Sequence, residues 1–502
     1  MEKFHALVKE KIQQNFCEPI NRADARPTQE VQDGSITTEV EVLATSDQNC
    51  ILIPSYACRT KNEQGKEVWK VHVRGWAYIS KTQSRKQKIM MGVARRVAGV
   101  NNDEEKSKTL EDRVSMFLAK NLRNQDYIVQ INGLAHPSHM ELDRVPDDNS
   151  TILPINGLYS TKVTSGTGHF SGEIQILVDT VDQWIANAKE DNPARWLKLS
   201  AFPEREKETY ADKSYGFANL IGVNGISIIS DIDDTIKHTD ISSGPRAALS
   251  STFLYDQKEV SGMANVYQEW YKQGASIHYV SNSPWQLFPM LNQFFRNKNF
   301  PPGSAHLKLY NDLKSLIDSG NTKRKYIRDI FRDFPHRKFI LIGDSGELDM
   351  EIYSDIADEF PSQILYVFIR DVSTERIKTH PPPPRRSKSF PFVQRSSPLP
   401  SKSAKTMPVL DDTNVVNFDD NSGDNSSDKI SSSPSESDES SPTTPLTPLT
   451  PTIPSIDPLQ EFNNRVDKCR QKIPNRAFVL FTESQDLIDN EIIKNEFLKL
   501  RK

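Results

Sequence analysis

The stretch Ile226-Ser-Ile-Ile-Ser-Asp-Ile-Asp-Asp-Thr-Ile236 constrains this chain more than any other. Ile226 to Ile229 is largely apolar and β-branched, so it reads as a buried strand. It runs into Asp231, Asp233 and Asp234, with Thr235 one step on. Carboxylates at the carboxyl end of a central strand stand where open α/β sheets bind ligands. Like charges this close repel unless a cation or protons neutralise them. An all-oxygen site suits Mg²⁺, a hard ion. Asp231 is then free to act as a carboxylate nucleophile on phosphorus. Asp233 can protonate a leaving oxygen and later activate water. An acidic turn after a strand is the competing reading.

Beyond this stretch, helices and strands alternate. Helical patterns cover 260–272, 285–297, 322–333 and 351–359. Strand patterns cover 276–281, 305–310, 338–343 and 363–369. Such β-α alternation predicts a parallel sheet with helices on both faces. Ser281 ends its strand as Asp231 does, so both should point into one crevice. Its hydroxyl can hold a phosphoryl oxygen, or be a plain turn serine. Asp344 follows another strand, and with Asp349 it offers more oxygen for a cation. A helix cap built on Asp344-Ser-Gly competes with that reading. Lys323 opens a helix and can offset phosphate charge. Arg324 and Lys325 adjoin it, so the assignment within Lys-Arg-Lys stays open, as does a plain surface lysine.

Upstream, residues 36–205 alternate as strands with inserted helical patterns, and read as a mainly β, sandwich-like domain. Gly166, Gly168 and Gly172 do not open a helix after a strand, so they read as turn residues. The segment 85–100 is basic. A charged solvent face on a packed helix explains it better than contact with anionic lipid. Residues 1–35 supply a docking helix through Phe4, Leu7, Val8 and Ile12, then a linker.

Composition enters as exclusion. With 502 residues, two or three domains are expected, and 36% hydrophobic content is low enough to require an unfolded part. A net charge of −4 argues against general nucleic-acid binding. Cys17, Cys50, Cys58 and Cys469 have no metal-ligand spacing and are too few for a disulfide framework, which favours a reducing, cytoplasmic setting. No apolar run approaches a membrane span, so any membrane work is peripheral. The start, Met-Glu-Lys-Phe-His, lacks a signal-peptide core.

In order, the candidates read D-x-D-x-T, Ser after a strand, Lys, then Gly-Asp-x4-Asp after a strand. That order resembles the haloacid-dehalogenase-like phosphotransferases. Residues 222–237, 278–287 and 339–349 resemble the fungal actin-patch phosphatidate phosphatase family in particular. So do Pro54-Ser-Tyr, Val73-Arg-Gly-Trp76, Arg465-Val and Phe478-Val-Leu-Phe481. The resemblance implies a haloacid-dehalogenase-like catalytic domain over 206–378. It implies Asp231 as nucleophile and Asp233 as acid/base. Mg²⁺ would be held by Asp231, the backbone oxygen of Asp233 and Asp344, with Asp349 behind them. Thr235 would buttress the nucleophile, Ser281 would hold phosphate and Lys323 would offset its charge. It implies hydrolysis of phosphatidate to diacylglycerol at cortical actin and endocytic sites. Met350 stands where that family's last motif would carry proline. A phosphoprotein or phosphoinositide phosphatase, or an endocytic adaptor with a silent enzyme domain, are the alternatives. The short gaps between motifs predict a site without a large cap domain, open to a bilayer surface or a phosphoprotein.

From 379 to 455 the chain turns to Pro, Ser, Thr and Asp, which predicts disorder. Pro381-Pro-Pro-Pro384-Arg-Arg386 fits P-x-x-P-x-R, an SH3 ligand pattern. Thr444, Thr447 and Thr450 precede prolines and are candidate phosphosites. Residues 456–502 predict a helix, a strand and a final helix returning to the catalytic domain.

Overall fold

Each of the two sheets grows from a different hydrophobic pattern. The computed structural model describes residues 48–79, 92, 95, 104–135, 159–187, 196–204, 214–239, 257–309, 321–379, 457–473 and 477–500. The predicted first helix, the opening of the mainly β stretch at 36–47, most of 85–100, the SH3 pattern and the three Thr-Pro sites lie outside those residues.

The first sheet has nine strands: β1 (Gln48–Leu52), β2 (Ser55–Lys61), β3 (Glu67–Ile79), β4 (Lys120–Asn121), β5 (Asp126–Ala135), β6 (Tyr159–Val163), β7 (His169–Leu177), β8 (Trp196–Pro203) and β9 (Ser214–Ile221). Helices α1 (Glu104–Leu118) and α2 (Val178–Asn187) are inserted. The main path is β1-β3-β2-β9-β8-β5-β6, with β4 and β7 also paired to β3. Alternation sets one face inward: Trp69, Val71 and Val73 are buried beside Ile174, Ile176 and Leu199. The mainly β character expected of this part is present, with its strands joined in one hydrogen-bonded sheet because the long strand β3 carries partners along both edges. The sheet curves over a shared core, where Tyr127 of β5 stacks on Phe170 of β7 at 5.5 Å. Its ends approach where Lys162 of β6 reaches the Glu173 carbonyl of β7. Strand β9, beyond residue 205, belongs to it.

The second sheet follows after the turn 222–225, where Gly225 takes φ +124 and its missing Cβ leaves room for the Arg337 guanidinium. In chain order come β10 (Ile226–Ser230), the short β11 (Lys237–His238) and β12 (Lys258–Glu259), α3 (Met263–Lys272), β13 (Ser276–Pro284), a 3-10 turn at Trp285–Leu287, α4 (Phe288–Asn297), β14 (Ser304–Lys308), α5 (Asn321–Asp333), β15 (Lys338–Asp344), α6 (Asp349–Glu359), β16 (Ile364–Arg370) and α7 (Thr374–Thr379). After the linker come α8 (Pro458–Lys472), β17 (Phe478–Phe481), α9 (Gln485–Ile488) and α10 (Glu491–Leu500). The last two break at Asp489–Asn490, where one continuous helix was expected.

The sheet order is β14-β13-β10-β15-β16-β17, and every pairing is parallel. Strand β10 is central and wholly buried, as a strand covered on both faces must be. Its two serines are satisfied: Ser227 accepts from Arg337 at 2.8 Å, and Ser230 accepts from Tyr267 at 2.7 Å.

The two sheets meet in one compact unit. Pro54, just before β2, accepts a backbone bond from Ala305 of β14. Asp333, closing α5, accepts from Tyr56 at 2.8 Å, Lys70 at 2.7 Å and His72 at 2.9 Å. These charge-assisted bonds fasten the first sheet to the second.

Candidate active site

Register brings the candidates together. Ser230 lies opposite Tyr279 of β13 and Ile342 of β15. Asp231 and Asp344 therefore stand at the same end of two paired strands; Ser281, expected to end its strand, instead lies within β13, which runs on to Pro284, toward that same end. Asp231, Asp344, Asp349 and Lys323 each expose 1% or less of their surface. At that burial every charge requires a partner.

Lys323 partners two of them, donating to Asp231 Oδ1 at 2.7 Å and to Asp349 Oδ1 in a shorter contact. It can do so because α5 buries the stripe Lys323, Ile327, Ile330 and Phe331, positions one and two turns apart. Lys325 is exposed, so Lys323 is the lysine that faces Asp231. Thr235 donates to Asp231 Oδ2 at 3.2 Å. The carboxylate that begins the acidic turn is thus held at both oxygens.

Asp233 is held by a different set. Lys237 donates to Oδ1 at 2.8 Å and Thr239 to the same oxygen at 2.8 Å. Ser283 and, at 3.4 Å, Ser281 donate to Oδ2. The turn that permits this puts Asp234 in the left-handed region at φ 55, with its carbonyl accepting from Arg370 at 2.7 Å. Burial pushes Asp233 up, but Lys237, Ser283 and Thr239 outweigh it and bring its pKa down to about 2. Sequence reasoning missed Lys237, Thr239 and Ser283. A lysine four residues after an acid in a tight turn was the available signal.

Asp344 caps its own loop, accepting at Oδ1 from the backbone of Gly346 at 2.6 Å and Glu347 at 3.1 Å. The capping role and the position beside Asp231 therefore coexist. Its Oδ2 is buried and has no hydrogen-bond partner. Asp349 lies behind, with Oδ1 on Lys323 and Oδ2 accepting from the Asp344 backbone at 3.4 Å. Gly343 is needed here, because a Cβ would stand 2.5 Å from Asp349 Oδ2. Met350 is fully buried in the core.

Oxygens of Asp231, Asp344 and Asp349 lie within 4.8 Å of one another. Burial raises Asp231 to about 7 against the pull of Lys323, and Glu347 and Asp233 push the same way. Burial and the neighbouring carboxylates Asp349, Glu347 and Asp231 raise Asp344 well above the usual range. Negative charge is in excess over the single Lys323 ammonium. The orphaned Asp344 oxygen beside that excess fits a hard divalent cation. Asp344 Oδ2 is the open oxygen of this cluster; Asp231, at the end of the central strand, is its neighbour toward the crevice, and Asp349 stands behind with both oxygens engaged.

A parallel α/β sheet with buried carboxylates and a lysine converging at one end defines the class of site: a carboxylate centre suited to phosphoryl chemistry. Residues 226–371 match the family described as "Phosphatidate phosphatase APP1, catalytic domain". Over 203 residues the chain is 37% identical to an uncharacterized protein of Schizosaccharomyces pombe, covering 39% of this chain and 33% of that protein. Over 270 residues it is 32% identical to phosphatidate phosphatase APP1 of Saccharomyces cerevisiae, covering 52% and 40% respectively. The matches therefore span well under half the length of either relative.

Proposed function

We propose that the chain is a Mg²⁺-dependent phosphatidate phosphatase acting through an aspartyl-phosphate. The observation that carries this is the separate treatment of two aspartates in one turn: Asp231 is pinned by Lys323 and Thr235, and Asp233 by Lys237, Thr239 and Ser283. Such divergent environments assign different roles to paired carboxylates.

Asp231 attacks phosphorus, and the bond from phosphorus to the glycerol oxygen breaks. The leaving oxygen takes a proton from Asp233. Water then gives a proton to Asp233 and attacks the phosphorus of the aspartyl-phosphate, which frees phosphate and restores Asp231. Lys237 keeps Asp233 ionised, the form that accepts a proton from water. A dianionic phosphate entering beside it raises its proton affinity for the first half of the cycle. Lys323 favours the ionised Asp231 that attack needs, opposing the burial that raises it. The Ser281 hydroxyl, 3.4 Å from Asp233, is placed to donate to a phosphoryl oxygen. Mg²⁺ on Asp231, Asp344 and the Asp233 carbonyl would neutralise the charge of the transferring group.

The substrate follows from the family match and from the name of the budding-yeast relative. Among the described residues no helix is long and apolar enough to cross a membrane, which agrees with work at a lipid surface from the aqueous side. Cortical actin sites and an SH3 partner on Pro381–Arg386 complete the proposal. The expectation of an uncapped site falls partly on 240–256 and 310–320, outside the described residues. The test is phosphate release by purified protein from phosphatidate, lysophosphatidate, phosphoinositides and phosphopeptides. Phosphatidate should be preferred by kcat/KM, and preference for a phosphopeptide would overturn the assignment.

A further inference from the structure

The family match ends at residue 371, yet the site loop is tied to a residue far beyond it. Arg465 of α8 donates to the Ser345 carbonyl at 3.1 Å and the Glu347 carbonyl at 2.6 Å. The same guanidinium pairs with Glu351, by Nε in a short contact and by a terminal nitrogen at 2.9 Å. These partners are 114 to 120 residues away in sequence. Ser345 and Glu347 lie inside the loop that runs from Asp344 to Asp349. That loop holds the orphaned Asp344 oxygen and the aspartate that anchors Lys323.

The clamp is built in. Helix α8 buries Phe462, Val466 and Cys469 on one face, and Arg465 sits beside that stripe. Strand β17 extends the sheet past β16, pairing Val367 to Arg370 with Phe478 to Phe481. The guanidinium makes four hydrogen bonds here, to two carbonyls and to both oxygens of one carboxylate, one more than the three donors of an ammonium could make.

We propose that Arg465 is a positioning residue of the active site. The segment after the linker holds the Asp344–Asp349 loop in its cation-binding form. This rests on reading Asp231 and Asp344 as cation holders.

The experiment measures Mn²⁺ binding to the full-length chain by loss of the free-ion electron paramagnetic resonance signal, with no substrate present. Arg465→Met keeps the aliphatic stem and removes the clamp. Its Mn²⁺ affinity should fall roughly tenfold or more, the range for residues that orient metal ligands. Lys472→Met breaks the Lys472–Asp355 pair of the same helix without touching the loop. It should stay within about twofold of wild type, a shift below the ligand-orienting range. Far-UV circular dichroism and melting check the fold. If Arg465→Met does not fold, Glu351→Gln, which removes the clamp's anchor, decides by the same criterion. Unchanged Mn²⁺ affinity in a folded variant overturns the proposal. So does an equal loss in Lys472→Met, since that marks docking in general. A wild-type chain that binds Mn²⁺ but releases no phosphate from phosphatidate fails the function above and leaves the clamp judged on binding. A wild-type chain that binds no Mn²⁺ overturns both.

Discussion

Lys237 and Asp233 form a 2.8 Å ion pair that is almost wholly out of solvent. Four residues apart, they close the turn that follows the central strand. Removing one partner of a buried pair leaves an uncompensated charge. Lys237→Met should destabilise the fold by about 3 kcal/mol. Adding Asp233→Asn should recover much of that loss, because the stranded charge is gone. Urea unfolding of the two single variants and the double variant measures the coupling. Additive losses would show that the pair contributes no such interaction.

The two lysines flanking Arg324 should behave differently. Lys323→Met removes the cation beside the attacking oxygen and should lower kcat by about 10²-fold or more, as loss of a preorganised donor does. Lys325→Met changes an exposed side chain and should leave kcat unaltered. Steady-state phosphate release on both variants separates the two roles.

Acid lability has a traceable source in His278. Burial, with Arg337 adding to it, brings its pKa down to about 3. The unfolded chain binds that proton near pH 6.5. The contribution is therefore complete above pH 6.5 and is lost as pH falls from there toward 3. The loss is about 1.4 kcal/mol per pH unit. Asp231 and Asp349, both raised to about 7 by burial, push the opposite way. The clean observable is thus a difference between variants. As pH is lowered from 7 to 5, His278→Asn should lose less stability, or gain more, than wild type, the two slopes differing by nearly one proton at the acid end of the range. Parallel lines would mean that His278 titrates normally.

Metal removal should silence the enzyme reversibly. A chelator should abolish phosphate release, and added Mg²⁺ should restore it. Asp344→Asn keeps the loop-capping oxygen but removes the charge. It should raise the Mg²⁺ concentration for half-maximal activity by roughly tenfold or more, a shift of the size seen when a metal's surroundings are disturbed. A titration of rate against Mg²⁺ for both proteins measures the shift.

Much of the second sheet is legible in sequence because its signals are local. Ile226–Ile229 announces a strand, and Asp231 marks where it ends. The partners of Asp233 were not legible. They depend on the left-handed Asp234 and on Ser283 arriving from the next strand over. Lys323 was partly legible: it shares a helical stripe with Ile327, Ile330 and Phe331, which separates it from Lys325. Arg465 was visible as a motif residue but not as a clamp, since nothing local ties it to Ser345 or Glu347. The first sheet was legible only in part, for a related reason. Alternation gives strand faces, but the partners on both edges of β3 are set by distant pairings.

The central claim is that the Asp231 carboxylate becomes phosphorylated. The most direct test quenches the enzyme during turnover of phosphatidate, reduces it with borohydride and maps the product by peptide mass spectrometry. An acyl phosphate is reduced to the alcohol, so position 231 should appear as homoserine in wild type and not in Asp231→Asn. Reduction at another residue, or at none during active turnover, would contradict the account.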